Sequence, residues 1–344
     1  MLKHLSILDQ SAAVEGISHA EVIQNTVDLA VHAEELGYRR FWVSEHHSHP
    51  SIVGTAPEIL MAAISQKTTQ IRIGSAGVML PHYSALKVAE QFRVLESLAP
   101  GRIDLGVGRA PGSDMKTAQI LNPQSQSAAH FPQQVQELDL WLRNETFPSG
   151  HLAKGVQAFP LGDTFPDLWI LGSSAYGAQL AAYLGLPYVF AHFITDGEGA
   201  KQAIDLYRHQ FKPSARLQEP QIIVCLWALA AEDEKDAFYH FRSRARWKID
   251  RQKGVLGSMK NPHQAGQWQS EQDEAQFVKM CHQGFVGSAD TVIHKMQDLA
   301  NDLGVEEIAV ITWAFDFEVR KKSYALLLKE LSLKNTVLKA SLPT

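Results

Sequence analysis

Eight short apolar runs, each followed by a longer amphipathic stretch, recur along the whole chain, at residues 5–8, 40–44, 71–79, 103–108, 168–172, 188–192, 222–229 and 307–313. Such alternation marks repeated βα units and a parallel sheet. Ser18 with Glu21 and Thr55 with Glu58 have capping-box spacing, and Ser84, Ser173 or Ser174, and Ser288 are candidate N-caps. Gly37, Gly101, Gly185 and Gly304 stand where helices should end. Eight units without a change of pattern predict an α/β fold, a (β/α)8 TIM barrel in one domain over residues 1–344. A doubly wound sheet with two extra strands would give the same count.

A barrel of this kind needs about 250 residues, and the chain has 344. The excess falls mainly in two stretches, 110–165 after the fourth run, with a helix expected around 133–143, and 251–280 after the seventh. Both follow the C-terminal end of a strand, where barrel active sites are built, so they are expected either to cover a substrate or to be ordinary decoration.

The longest unbroken apolar run is ten residues, 222–231, about half of what a bilayer-spanning helix needs, and residues 1–10 lack the apolar core of a signal peptide. The expectation is a cytoplasmic protein with no membrane association. A net charge of −5 argues against nucleic-acid binding. The basic stretch at 242–248 follows an acidic one at 232–236, which reads as a solvated helix face. Cys225 and Cys281 form no CxxC pair and are expected to be buried and inert.

Chemistry in a barrel sits at the C-terminal ends of strands. The second run ends in Ser44-Glu45-His46-His47-Ser48-His49, a carboxylate beside imidazoles suited to proton transfer, or else surface histidines in a loop. His47-x-His49 also has metal-ligand spacing, to which His192 and Asp316 could contribute. The other strand ends are small, hydroxylic or cationic, however, which suits a planar or phosphorylated ligand better, and no metal is expected. Gly74-Ser75-Ala76-Gly77 offers close approach to a flat ring, or tight packing of a barrel layer.

Gly106-Val-Gly108-Arg109-Ala-Pro-Gly112 is not a dinucleotide fingerprint, because the last glycine comes one position late and a proline stands where a helix should begin. What it does offer is Arg109 at a strand end, a clamp for phosphate or carboxylate or a structural ion pair. Gly172-Ser173-Ser174-Ala175-Tyr176 opens a helix and can hold an anion on its hydroxyls and free N–H groups, or simply cap the helix. His192 is a further candidate from its position after the sixth run.

Taken in order, these segments resemble the bacterial luciferase-like flavin monooxygenases, (β/α)8 barrels that bind FMN or the deazaflavin F420. The likeness covers most of the chain. It rests on Phe41-Trp-Val-Ser-Glu45-His46-His47, on Gly77-Val-Met-Leu-Pro81-His-Tyr with Leu86-Lys-Val-Ala-Glu90-Gln, and on Pro100-Gly101-Arg102-Ile-Asp104-Leu-Gly106-Val-Gly108-Arg109-Ala-Pro-Gly112. Leu171-Gly-Ser-Ser174 and Phe285-Val-Gly287-Ser288 complete it.

The resemblance implies a cis peptide at Ala76-Gly77 behind the flavin ring, and Glu45 near that ring. It implies that Arg109 and the turn of Gly172, Ser173, Ser174 and Tyr176 grip the phosphate, with His46 as catalytic base. Gly172 and Tyr176 stand where luciferase has an acid and a threonine, and the two long loops differ, so light emission is not implied. His47 and His49 are expected on the rim. The implied activity is a two-component monooxygenase that takes reduced FMN from a separate flavin reductase and uses O2 to oxygenate a small organic substrate, as a homodimer. The alternatives are F420-dependent hydride transfer, a metal-dependent barrel hydrolase using His47, His49 and His192, and a non-catalytic flavin binder.

Overall fold

The computed structural model describes residues 1–123 and 127–341. Nine strands run through them: β1 His4–Asp9, β2 Arg40–Val43, β3 Arg72–Met79, β4 Ile103–Gly108, β5 Asp167–Gly172, β6 Tyr188–Ala191, β7 Ile222–Ala231, β8 Phe285–Ser288 and β9 Glu307–Ile311. Helices separate them in sequence, and the strand pairs are parallel, so the fold class is the (β/α)8 barrel that the apolar runs predict. The strand not counted in the sequence is β8. At four residues with a glycine third, it is too short to show a period.

The chain divides into two compact units. The first comprises Met1–Arg39, His49–Val53 and the chain from Ile223 onward. Within it β1 pairs with β9, β9 with β7, and β7 with β8. The helix Ala289–Leu303 shows how its elements form. Ser288 Oγ accepts from Thr291 N, Gly304 closes the last turn at φ 63°, and the buried face is Val292, Ile293, Met296, Ala300 and Leu303. Burial of each large side chain contributes about 1.5–3 kcal/mol, so a charge at Met296, which is 0% exposed, would break this face. Asp9, buried in the same unit, pairs with Arg320 and accepts from the Thr26 hydroxyl at 2.6 Å.

Two expectations are corrected in this unit. The basic stretch is not a solvated face, because Arg244 and Arg246 are buried. Arg244 lies 4.3 Å over the Trp227 ring, and Arg246 pairs with Asp250. A planar guanidinium stacks on an indole, which charge counting cannot foresee. The stretch 251–280 is also not one long loop, for it contains helices Pro262–Ala265 and most of Glu271–Gln283. Both cysteines are buried as expected, and burial pushes the Cys281 thiol up to about 12.

The second unit comprises Arg40–Ser48 and Gly54–Ile222. Here β2, β3, β4, β5 and β6 lie side by side in sequence order, all parallel. At the N-terminal end of the sheet Asp104, 0% exposed, receives Arg40 Nη1 at 2.8 Å, Trp42 Nε1 at 2.9 Å and Arg72 Nε at 3.0 Å. Burial alone would raise its carboxyl; Arg40 and Arg72 outweigh that and hold it below the usual range. Helix Pro57–Ser65 starts without the Thr55 cap, since Pro57 at its first position needs no hydrogen-bond partner for its nitrogen. The stretch 110–165 carries two helices, Met115–Leu121 and Ser127–Leu142, the second longer than expected and with Pro132 inside it. Among the described residues no helix is long and apolar enough to cross a membrane.

Candidate active site

Every residue predicted to hold the flavin or to carry the proton falls in the second unit, along the C-terminal edge of its five adjacent strands, whereas the candidate metal ligands His49 and Asp316 fall in the first. Glu45 and His46 follow β2, and Ala76 and Gly77 lie in β3. Arg109 follows β4, Gly172 ends β5 ahead of Ser173, Ser174 and Tyr176, and His192 follows β6. The adjacency of the strands thus brings together residues spread over nearly 150 positions of sequence.

The Glu45 carboxylate, buried at 1% exposure, is held from three sides. His47 Nε2 lies 2.7 Å from Oε1, the Tyr83 hydroxyl donates to the same oxygen at 2.8 Å, and Met79 N donates to Oε2 at 3.1 Å. His47 is therefore not a rim residue: its side chain is 13% exposed, and its backbone N–H donates to the Gly112 carbonyl at 3.1 Å. Burial first, and the Glu45 charge second, raise the Tyr83 phenol well above its ordinary range, so it remains a donor. His46 Nδ1 is 3.2 Å from Ser44 Oγ. His49 belongs to the first unit, where Ser51 N donates to its Nδ1 at 3.2 Å.

The peptide between Ala76 and Gly77 is cis, as the resemblance implies, and the β3–β4 register shifts between Ala76 and Val78. A Cβ on Gly77 would stand 2.8 Å from the Gly106 carbonyl oxygen, so the glycine is required by the close approach of β4. A Cβ on Gly108 would meet only the Met79 methyl at 3.5 Å, so packing leaves that position freer.

Past β4, Arg109 is exposed and its guanidinium carbon lies 3.9 Å from the centre of the Tyr176 ring. Among the described residues no carboxylate pairs with it. Ser174 is the N-cap of helix Ala175–Leu184, yet its hydroxyl makes no capping bond, so the first N–H groups of that helix are left for a ligand or water. The buried Tyr188 ring sits beneath this turn, with its hydroxyl 3.4 Å from both the Gly172 and Ser174 carbonyls. An exposed cation, two hydroxyls and a helix N-terminus without a side-chain cap are chemistry that suits a phosphate-like anion.

His192 opens the short helix His192–Thr195, and its carbonyl accepts from Gly197 N at 3.1 Å. Its ring lies over Gly197, where a Cβ would come within 2.9 Å of Cδ2. Among the described residues no three His, Cys, Asp or Glu side chains are grouped to hold a metal ion. Sequence reasoning missed Tyr83 and the Met79 N–H as partners of Glu45. The signal for Tyr83 was its place just beyond the third run, ahead of the N-cap Ser84.

The fold and this row of strand ends define the class: residues 4–307 match the profile of the luciferase-like monooxygenases, and the chain belongs to that family. A luciferase-like monooxygenase of Escherichia coli K12 is 39% identical over 324 residues, which is 93% of this chain and 95% of that protein. The N-acetyl-S-alkylcysteine monooxygenase of Bacillus subtilis is 35% identical over 326 residues, 94% of this chain and 96% of that one. Among solved structures, apo-MsnO8 matches with a TM-score of 0.86 at 33% identity, over 97% of this chain and 99% of that one. The oxygenating constituent of the Pseudomonas putida 3,6-diketocamphane monooxygenase, solved in complex with FMN, shares the fold, with a TM-score of 0.71 at 19% identity, over 97% of this chain and 99% of that one.

Proposed function

We propose that the chain is the oxygenase of a two-component system, taking reduced FMN from a separate reductase and using O2 to oxygenate a small organic substrate. The observation that carries this reading is the pairing, at the ends of β4 and β5, of Arg109, which among the described residues has no carboxylate partner, with a helix that the Ser174 hydroxyl leaves uncapped. It lies along the same sheet edge as the cis Ala76–Gly77 peptide and His46. These residues fit a flavin mononucleotide, with a phosphate end and a ring end to accommodate. The monooxygenase names of the relatives support the reaction class.

In this reading Arg109, Ser173, Ser174 and the N–H groups after Gly172 and before Tyr176 hold the phosphate. Ala76 and Gly77 form the wall behind the ring. Glu45 holds that wall in place, because it bonds Met79 N just beyond the cis peptide. Reduced flavin, when bound, supplies the electrons that activate O2. His46 holds and moves the proton at a ring nitrogen, oriented by Ser44 Oγ at 3.2 Å, and His192 flanks the site from the end of β6.

The test is a titration of purified protein with photoreduced FMN, followed by admission of air. A saturable flavin signal at micromolar FMN and an air-induced spectrum unlike that of free flavin are expected. Free-flavin behaviour throughout would end the proposal, and tight binding of F420 in place of FMN would move the chain to hydride transfer.

A further inference from the structure

The geometry points to Tyr176 as a positioning residue that acts through Arg109 and by means of its ring, not its hydroxyl. The inference rests on the flavin reading above and concerns how the phosphate grip is assembled before the ligand arrives.

Arg109 is an exposed arginine on a loop, and such a side chain has several freely rotating torsions, which a ligand must freeze on binding. No salt bridge restrains it among the described residues. Its restraint is the Tyr176 ring, whose centre lies 3.9 Å from the guanidinium carbon, well inside the 6 Å reach of a cation–π contact. Stacking engages the flat face of the guanidinium and leaves its N–H groups, which point outward in the plane, free to donate. A carboxylate in the same role would occupy those N–H groups and cancel the charge that a phosphate needs. An aromatic face therefore orients the arginine without competing for its donors.

The platform itself is fixed. Tyr176 is the second residue of helix Ala175–Leu184, half-buried, and the turn before it is pinned by the Tyr188 hydroxyl between the Gly172 and Ser174 carbonyls. The ring thus puts the side-chain cation beside the helix N-terminus, so that both face one anion.

The test compares FMN with riboflavin, which lacks the phosphate, in fluorescence or dialysis titrations of the wild type, Tyr176→Phe, Tyr176→Leu, Arg109→Ala and the double variant. A cation–π contact to an exposed cation corresponds to about a two- to fivefold change in Kd. Tyr176→Leu should weaken FMN by about that factor and leave riboflavin unchanged, whereas Tyr176→Phe should stay within about twofold of the wild type for both. In the Arg109→Ala background, Tyr176→Leu should have no further effect. With a reductase and substrate in hand, Tyr176→Leu should raise KM for reduced FMN and spare kcat.

Equal loss of FMN and riboflavin affinity in Tyr176→Leu would make the residue a structural support and overturn the inference, as would loss of FMN affinity in Tyr176→Phe or additive effects in the double variant. A wild type that binds FMN no better than riboflavin would overturn the phosphate grip itself. A wild type that binds neither would overturn the flavin reading. These failures are separable in one set of titrations.

Discussion

The Tyr83 hydroxyl stands 2.8 Å from Glu45 Oε1, and that oxygen takes a second bond from His47 Nε2 at 2.7 Å, while Met79 N reaches Oε2. Glu45→Gln keeps the shape but turns one acceptor into an NH2 group facing a donor. A buried mismatch of this sort costs about 1–3 kcal/mol. The denaturant midpoint should fall accordingly, and the Tyr83→Phe variant, which removes one donor only, should lose about 1 kcal/mol. Unchanged midpoints in both would show that this network holds nothing in place.

His46→Ala should retain FMN binding and lose turnover. General acid–base groups typically contribute 10²–10⁴-fold, so a loss on the order of a hundredfold in kcat is expected with Kd for FMN nearly constant. Loss of binding instead would make His46 a contact and not a proton carrier.

Gly77→Ala should destabilise the protein by about 1–3 kcal/mol, because the new methyl would press on the Gly106 carbonyl at 2.8 Å and only backbone can move. Gly108→Ala, facing the flexible Met79 methyl at 3.5 Å, should be nearly neutral in thermal melts. Reversed rankings would contradict the close approach of β3 and β4.

Asp104→Asn and Arg109→Ala should give opposite phenotypes. The first leaves Arg40 without its buried partner, which typically costs 3–5 kcal/mol, and should lower the thermal midpoint with FMN affinity kept. The second should weaken FMN and leave the midpoint alone. The Asp104 carboxyl is held below its unfolded value, so its contribution is present above that value and lost as pH falls through the folded one. The acid limb of a stability–pH curve should therefore flatten in Asp104→Asn.

At alkaline pH the tyrosines dominate. Burial raises the phenols of Tyr38, Tyr83, Tyr188 and Tyr207, and lifts that of Tyr324 to about 12. Folded values above the unfolded one mean that the contribution is complete below about pH 10 and is lost as pH rises toward the folded values. Unfolding free energy should drop by up to about 1.4 kcal/mol per pH unit for each such tyrosine, and the tyrosinate absorbance of these five buried residues should appear together with unfolding. Tyrosinate absorbance at full strength in the still-folded protein would refute this.

The barrel was legible because apolar runs recur eight times, and a period is a property of sequence alone. The strand ends were legible for the same reason, since Arg109 and Ser174 are placed by where β4 and β5 stop. Which neighbour each side chain meets was not. That Glu45 would bond Met79 N depends on a bulge in a strand 34 positions away. That Arg244 would stack on Trp227 depends on tertiary packing, which reverses the usual reading of a basic run. Small residues at 74–77 read equally as room for a ring or as tight packing, and the contact of Gly77 with Gly106 favours the second cause for that residue.

Strand β4 works as a ruler. Asp104 and Arg109 are five residues apart, a span of about 17 Å in extended chain. One end anchors the architecture and the other carries the exposed Arg109 that the proposal gives to the phosphate, with Gly106 as the tight crossing between them. Variation in this motif therefore separates at Gly106: changes at 102–106 should be read out as stability, and changes at Arg109 as ligand affinity.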